Sequence, residues 1–600
     1  MYIEAGQLIY SPSDLTLYMD SPFASWMEHS MLINPELLSF VDSPDEMMLL
    51  LQRRGALHET EVLNSFLQKN LNVVQIAKGS SALQATLAAM QSGADVVYQA
   101  ALSLLPFTGY ADFLVKVEGK SRFGDFYYEV WDTKLAKTLK PYVVVQLCCY
   151  AEMLEALQGR RPTHIVAALG NGDNQRLLTN DYFYYYENLK LQFLSLHQNF
   201  SASNVPNPAD SNNWGRWSNY AEDLLKQADH LSLIATITKS QIKKLNKSGV
   251  YTVQEIIDTD LKVIKGINNE VLARLKTQAK IQKDSIGKDA PLYRILPHEL
   301  NKKAGLALLP PASPLDIYFD IEGFPLEDGG LEYLWGVSYF DQSGVLQYKD
   351  FWAHNKEEEK IAFKAFIDWA YDRWLQDPTM HIYHYANYEI TACRKLTGRY
   401  GICEYEVDQL LRNEVFIDLY KVVKGSLLLG EPRYSIKNVE RLYRDKRSTE
   451  VGSGGDSVVV YEKWREDPDG DNWEESKILN AIRRYNIDDC NSTQELVDWL
   501  RLRQKEHAIV YLGKTEIIEP EVQEAITERI KLREALLQKA SELQDKGDVK
   551  NAEVHSIFAW ALEFHRREKK PMYWRLFDRM GLSDEELIYD IDCLAYCIRT

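Results

Sequence analysis

Cysteine is scarce in this chain, with seven scattered through 600 residues and no CxxC pair. That excludes a disulfide framework as the organising device, and the adjacent Cys148 and Cys149 suit neither a bridge nor a structural zinc site. No apolar run approaches the ~20 residues that a membrane helix requires. The start, "MYIEAGQLIYSPSD", lacks a basic segment followed by an apolar one, so no secretory signal is visible and a cytoplasmic protein without membrane contact is the expectation. Positive charge is in deficit: 69 Lys and Arg stand against 87 Asp and Glu, a net charge of −18. That argues against a broad nucleic-acid-coating surface but leaves room for a local basic groove and for carboxylates that hold metal ions. The glycines of "GSGGDS", 452–457, lack the Lys-Ser/Thr ending of a phosphate-binding loop and predict a flexible connection.

What remains is a globular composition, 45% hydrophobic and 26% charged, long enough for three to five domains at roughly 100–200 residues each. The segments "GYADFLVKVEG" and "FYYEVWDTKLA" flank the turn-like "KSRFGD" and predict a hairpin. "PYVVVQLCCYAEMLEALQG" predicts a helix, with Pro141 near its start and Gly159 just past its end. Over 230–282 the pattern becomes two units of short helix, Gly-centred turn and second helix. A Pro-rich break, "LLPPASP", precedes the strand "LDIYFDIEG", after which strand and helix patterns alternate to about 505. Beyond 506 strong helix formers dominate. The breaks divide the chain into 1–225, 226–285, 286–505 and 506–600, an α/β multidomain protein with a helical C-terminal region.

In "YYEVWDTKLAK", strand alternation puts Asp132 and Lys134 on one face and Trp131 and Thr133 on the other. An ordinary ion pair at a strand end accounts for this by itself. Neighbouring residues add chemistry: Asp112 on the preceding strand, His58 and Glu59 in "GALHE", and Gln146 and Tyr150 one helical turn apart. Phosphodiester hydrolysis needs carboxylates to hold a divalent metal, and a nearby lysine can orient water or steady the developing charge. With "YSPSDL", "GALH", "GYADFL", "WDTK" and "QLCCY" in that order, residues 8 to about 195 resemble the RecB-like branch of the PD-(D/E)xK nucleases. The resemblance implies a restriction-endonuclease-like fold, His58, Asp112 and Asp132 as metal ligands, Lys134 as the catalytic lysine, and Gln146 and Tyr150 as a QxxxY signature beside the site; the four cysteines with which some relatives hold an iron–sulfur cluster around this domain are missing here, so no iron–sulfur cluster is expected.

In "IYFDIEGFP", Asp320 and Glu322 again share a face, now on a strand whose Ile317, Phe319 and Ile321 mark it as buried. Two like charges there are costly without a cation. Far downstream, "RRYNIDDCNSTQELVDWL" is helical, with Tyr485 and Asp489 one turn apart and Asp488 rotated about 100° away. A DxE strand followed by YxxxD on a helix resembles the tyrosine-bearing DEDD exonucleases of the RNase H-like, DnaQ-type superfamily, over residues 314 to about 502. This implies Asp320, Glu322 and Asp489 as ligands for two Mg²⁺ or Mn²⁺ ions about 3.5–4 Å apart, with Tyr485 orienting the attacking water. The family's second-motif aspartate appears here as Glu389, one methylene longer, with Asp418 as the other residue for that place. His384 reads as a strand-end histidine.

Between the two constellations, "LKVIKGINNEVLARLKTQAK" resembles a helix-hairpin-helix motif, in which Lys265, Gly266 and Arg274 would meet a phosphate. A plain αα-hairpin is the other reading. The order of all three resembles a bacterial family of RecB-like nucleases with an RNase H-like domain, some members of which continue into a superfamily 1 helicase. The resemblance implies a nuclease acting on single-stranded DNA or DNA ends, trimming 3′ to 5′ at the second centre, in repair, recombination or defence, with a helicase in cis or in trans. The alternatives are a nucleic-acid-binding scaffold with one or both centres inactive, favoured by the Glu389 departure, and a nuclease acting on RNA.

Overall fold

The computed structural model describes residues 1–299, 302–445, 454–513, 524–562, 564–580, 587, 590 and 592–594. It is a multidomain α/β protein of two compact units. The first comprises Met1–Arg294, Leu428–Leu442 and Ser448–Ile482, and the second Ile295–Leu427, Tyr443–Arg447 and Arg483–Thr600. Among the described residues no helix is long and apolar enough to cross a membrane.

The first unit holds a six-stranded mixed sheet whose spatial order follows the chain: β1 (Val73–Gln75), β2 (Val96–Leu104), β3 (Phe107–Ser121), β4 (Gly124–Lys134), β5 (His164–Leu169) and β6 (Asn174–Leu178). The predicted hairpin is β3–β4, antiparallel from Phe113↔Trp131 to Ser121↔Gly124. Helices α1 (Pro12–Asp20), α2 (Glu46–Gln68), α3 (Pro141–Gln158) and α4 (Thr179–Gln198) accompany it. As predicted, α3 opens at Pro141 and ends at Gly159, whose φ of +69° is the left-handed cap that glycine supplies without strain. It is the crossover between the parallel strands β4 and β5, and its Val143, Leu147, Cys148, Ala151 and Leu154 enter the core. Ser11 opens α1 through a capping box with Asp14, whose Oδ1 also accepts from the N-terminal amine at 2.8 Å.

Residues 231–279 build their own small core around Leu245, Val253, Ile256, Ile264, Ile267, Leu272 and Leu275. The first predicted helix–turn–helix is present, as Lys239–Lys247 and Val253–Asp258. The second has only its later helix, Asn269–Ser285. The segment before it is a tight bridge, Ile264↔Ile267, because β-branched Val263 and Ile264 favour an extended backbone. Helix Asn269–Ser285 also receives the excursion Leu428–Leu442: Gln278 Nε2 donates to Leu429 O at 2.7 Å, and the Tyr434 hydroxyl donates back to Gln278 Oε1 at 3.0 Å. The predicted loop at 452–457 is not one where it is described. Residues 452–453 lie outside the described residues, and Gly454 begins helix Gly454–Glu466. The apolar Val458, Val459 and Tyr461 that follow bury one helical face, and Arg54 of α2 donates to Glu462 at 2.7 Å.

The second unit holds a five-stranded sheet in spatial order β9–β8–β7–β10–β11, from β7 (Ile317–Phe324), β8 (Leu331–Phe340), β9 (Leu346–Trp352), β10 (Ile382–His384) and β11 (Phe416–Asp418). The first three form an antiparallel meander, and β10 and β11 add in parallel. One face packs on α5 (Lys356–Gln376) and α6 (Tyr388–Tyr400) through Phe319, Trp335, Phe363, Phe366 and Leu396. Helix α7 (Lys477–Glu506) contributes the residues from Arg483 onward. It lies directly on the backbone of β8: Cys490 Sγ donates to Gly336 O at 3.2 Å, and Ser338 Oγ to Asn491 Oδ1 at 2.7 Å. The C-terminal region is helical over Glu524–Asp545, Val549–Ala561 and Phe564–Met580.

Only glycine fits beneath α7 at position 336, since a Cβ there would lie 1.6 Å from Asn486 Oδ1 and 2.5 Å from the Tyr348 hydroxyl. Gly336→Ala is expected to destabilise the second unit by about 1–3 kcal/mol, the cost of overpacking. Calorimetry checks it as a lowered unfolding transition; an unchanged transition would mean that α7 stands further from the sheet.

Candidate functional site

The second unit gathers three carboxylates. Asp320 and Glu322 lie on β7 with one residue between them, so both project from the face that meets α7. Asp489 comes from α7, and ligand oxygens of the three lie within 4.8 Å of one another. Among the described residues this is the one group of at least three His, Cys, Asp or Glu side chains so arranged. Glu322 is buried, while Asp320 and Asp489 are partly exposed. Asn486 sets the rotation of α7: its Nδ2 donates to Asp320 Oδ2 at 2.7 Å, and its Oδ1 accepts from the Tyr348 hydroxyl at 2.7 Å. Asp489 lies three residues beyond Asn486 and therefore shares its helical face. Tyr485, one turn before Asp489, is buried. Asp488 points elsewhere and meets Arg444 at 3.0 Å. Asn486 was absent from the sequence-derived set, although its place at i−3 from Asp489 could have marked it.

Glu389 is not in this group. It lies in the first turn of α6, buried, with Oε2 3.3 Å from Nδ1 of the fully buried His384. Burial raises its pKa, and the histidine opposes that shift. Asp418 accepts from the backbone N–H groups of Ala386 and Tyr420, both at 2.9 Å, which fixes the turn between β10 and α6.

In the first unit, Asp112, Asp132 and Lys134 come together. Lys134 Nζ pairs with Asp132 Oδ2. The β3–β4 ladder ends at Phe113↔Trp131, and beyond it Asp112 Oδ2 accepts both the Thr133 N–H at 2.8 Å and the Thr133 hydroxyl at 2.7 Å. Thr133 therefore does not simply face away from the acids, as strict alternation predicts, because the end of the ladder leaves its N–H for the carboxylate. Burial, with Asp112 next in weight, pushes Asp132 up to about 7. Burial works to lower the Lys134 ammonium, but Asp132 and Asp112 more than offset it and raise its pKa. The Tyr150 hydroxyl donates to Tyr110 O at 2.8 Å, and Gln146 engages it from the preceding turn. Burial, then Asp132 and Asp112, raises the Tyr150 phenol. A Cβ on Gly109 would lie 3.0 Å from Pro12 and 3.1 Å from the Tyr150 hydroxyl, so "YSPSDL", "GYADFL" and "QLCCY" meet at one point. His58, on α2, lies outside any three-residue ligand group. Its Nε2 donates to Ala168 O at 3.1 Å, on the residue of β5 paired with Thr133.

Around the Ile264–Ile267 bridge, Gly266 has φ +85° and its carbonyl accepts from Lys244 Nζ at 2.7 Å. Lys265 and Arg274 are exposed, and Lys276 Nζ closes the carbonyls of the loop before them.

The raised pKa of Asp132 carries a prediction with a definite sign. The folded chain holds this proton to about pH 7, whereas an unfolded aspartate releases it near its ordinary 3.8. Stability from this group is therefore full below the unfolded value and lost as pH rises towards 7. Asparagine has no proton to lose, so the unfolding temperature of Asp132→Asn relative to wild type is expected to climb between pH 4 and pH 8 in metal-free buffer. A difference that does not change with pH would refute the shift.

Residues 317–501 match a family model, RNase_H_2, described as RNase_H superfamily. No curated protein matches the chain. The matched span begins on β7 and ends in α7, so it contains the strand and the helix that supply all three carboxylates. Residues 317–501 are an RNase H-like domain with an acidic triad of Asp320, Glu322 and Asp489, consistent with a nucleic-acid hydrolase.

Proposed function

We propose that the chain is a metal-dependent nuclease that hydrolyses phosphodiester bonds of DNA, with a 3′–5′ exonuclease centre in the RNase H-like domain and a RecB-like PD-(D/E)xK centre in the first unit. The observation that carries it is the triad: three carboxylates within 4.8 Å on a strand and a helix of an RNase H-like domain. Oxygen donors at that density repel one another, and they match the preference of Mg²⁺ and Mn²⁺ for hard ligands. Asp320, Glu322 and Asp489 would hold the ions. What such ions supply when bound is charge neutralisation at the phosphate and a more acidic attacking water. Asn486 keeps Asp320 aimed inward, and Tyr485 orients the water. Glu389 is the fourth carboxylate of this reading, exchanging His384 for the cation.

In the first unit, Asp112 and Asp132 would hold the metal, with His58 completing the set. An acid pushed up to about 7 by burial beside a second carboxylate has the character of a site that a divalent cation would relieve. Lys134 steadies charge at the phosphate, and Gln146 and Tyr150 brace the strand ends. The 226–285 segment, with Lys265, Gly266 and Arg274 exposed, grips the backbone of the substrate as a helix-hairpin-helix-like element. The substrate is single-stranded DNA or DNA ends, and a helicase would supply the single strand.

Labelled single-stranded DNA, duplex DNA and RNA, each with Mg²⁺ or Mn²⁺, test this on wild type, Lys134→Ala, Asp320→Ala and the double variant. We expect DNA cleavage by wild type, a loss of about a hundredfold or more at the matching centre in each single variant, and none left in the double. Absence of cleavage with either metal would favour a binding scaffold, and preference for RNA the RNA-directed reading. Glu389→Gln should match Asp320→Ala if Glu389 ligates; a loss of less than about tenfold would mark it as a buried partner of His384.

A further inference from the structure

In the first unit a cavity of about 230 Å³ opens between the start of α3 and the start of α4. Pro141, Val144 and Val145 form one wall and Tyr182, Tyr185 and Tyr186 the other, with Lys140 at the rim. Tyr186 is an ordinary core residue, fully buried, its hydroxyl donating to Glu152 at 2.6 Å. Tyr182 and Tyr185 are not: they are 38% and 57% exposed, one turn apart on the same helical face. Lys140 is exposed too, and it is the N-cap of the 18-residue helix α3, so the partial positive charge of the helix start adds to its own.

The cavity shares α3 with Gln146 and Tyr150 of the first centre. Lys140 lies six positions beyond Lys134, so the two are within about 20 Å even if the link were fully extended. Tyr142, next to the cavity residue Pro141, is near enough to Lys134 to act on it electrostatically. A slot with aliphatic and aromatic walls and a cation at its mouth matches a flat, apolar ring joined to an anion. A nucleotide of an unpaired strand has both parts, because every base presents a π-face and every linkage a phosphate. In a duplex the bases are stacked and closed to such a slot.

We propose that this cavity is a base-binding subsite for single-stranded nucleic acid, in which one nucleobase stacks on Tyr182 and Tyr185 while Lys140 meets the adjoining phosphate. The inference deepens the nuclease reading of the first centre and rests on it. It assigns that centre a preference for unpaired strands, since the subsite engages only a base free of its partner.

The test uses the full chain carrying Asp132→Asn and Asp320→Asn, so that the probe survives, and an oligothymidylate with one 5-iodouracil. Irradiation should join the probe to Tyr182 or Tyr185, identified by mass spectrometry of the peptides. By fluorescence anisotropy, Tyr182→Ala with Tyr185→Ala should weaken binding of the oligomer about tenfold, the scale of one stacked base, and an oligomer abasic at that position should show no such difference. Tyr185→Phe should bind like the parent, and Lys140→Ala should lower the salt slope by about one ion. Crosslinks confined to other residues, equal losses on the abasic oligomer, or a chain dimer that the Tyr182→Ala and Tyr185→Ala pair disperses would each overturn the proposal. If the chain with native Asp132 and Asp320 cuts nothing while crosslinks still form at these tyrosines, the nuclease reading fails and the subsite stands; cleavage without such crosslinks sinks the subsite alone.

Discussion

Two carboxylates separated by one residue on a buried strand must face the same way, and the molecule is arranged around the cost of that geometry. The second sheet contains that problem on one strand, the first a relative of it, with Asp132 facing Asp112 of the neighbouring strand, and they meet it differently. In the first, the strand that brings Asp132 inward also brings Lys134, and Asp112 is occupied by the Thr133 N–H and hydroxyl. Even so, burial leaves Asp132 reluctant to ionise, so this site couples its charge to pH near neutrality. In the second, Glu322 is buried, and Asp320 accepts from an amide, Asn486. An amide orients a carboxylate without cancelling its charge. The triad is thus an all-oxygen donor set of the kind two-metal RNase H-like sites use, whereas the first site brings an ammonium of its own.

The period of the side chains made much of this legible. Alternation alone placed Asp132 with Lys134 and Asp320 with Glu322, and the 3.6-residue turn placed Tyr485 with Asp489. The β3–β4 hairpin and α3 followed from a turn bounded by apolar strands and from Pro and Gly at the helix ends. What stayed hidden depends on how elements meet. Gly336 matters because α7 lies on the β8 backbone, and nothing in the local sequence of β8 announces that neighbour. Asn486 looks like any helical asparagine until Asp320 is set beside it. Glu389 follows Asn387 by two residues, within the resembled motif, yet the partner it meets is His384, three residues before that Asn. No helical or strand period reports that pairing.

The same limit applied to domain organisation. Composition marks the breaks before 226 and 286, where polar or Pro-rich stretches interrupt the pattern, but it leaves no mark at 428 or 448. From those points to Leu442 and to Ile482 the chain is still within the span matched as RNase H-like, yet it packs into the first unit, through Gln278 in one excursion and Arg54 in the other. Each excursion is held by a few side chains far away in sequence, which only a folded structure can display. The first unit is thus completed by residues that a linear reading assigns to its neighbour.

The net charge of −18 sets a further condition on any polyanionic substrate. Screening confines charge interactions to about 8 Å at physiological ionic strength, so the overall excess of acids does not decide binding; the groups within one such length of the substrate do. Those groups are unevenly placed. Lys140 stands at the mouth of an apolar slot near Lys134, and Lys244 and Lys265 sit about the Gly266 turn. A chain charged in this way would repel a polyanion over much of its surface and would favour it where a cation coincides with a cavity or an exposed turn. Selectivity for a bound strand then comes from the acidity of the rest as much as from the basic residues, because a misplaced strand meets carboxylates instead.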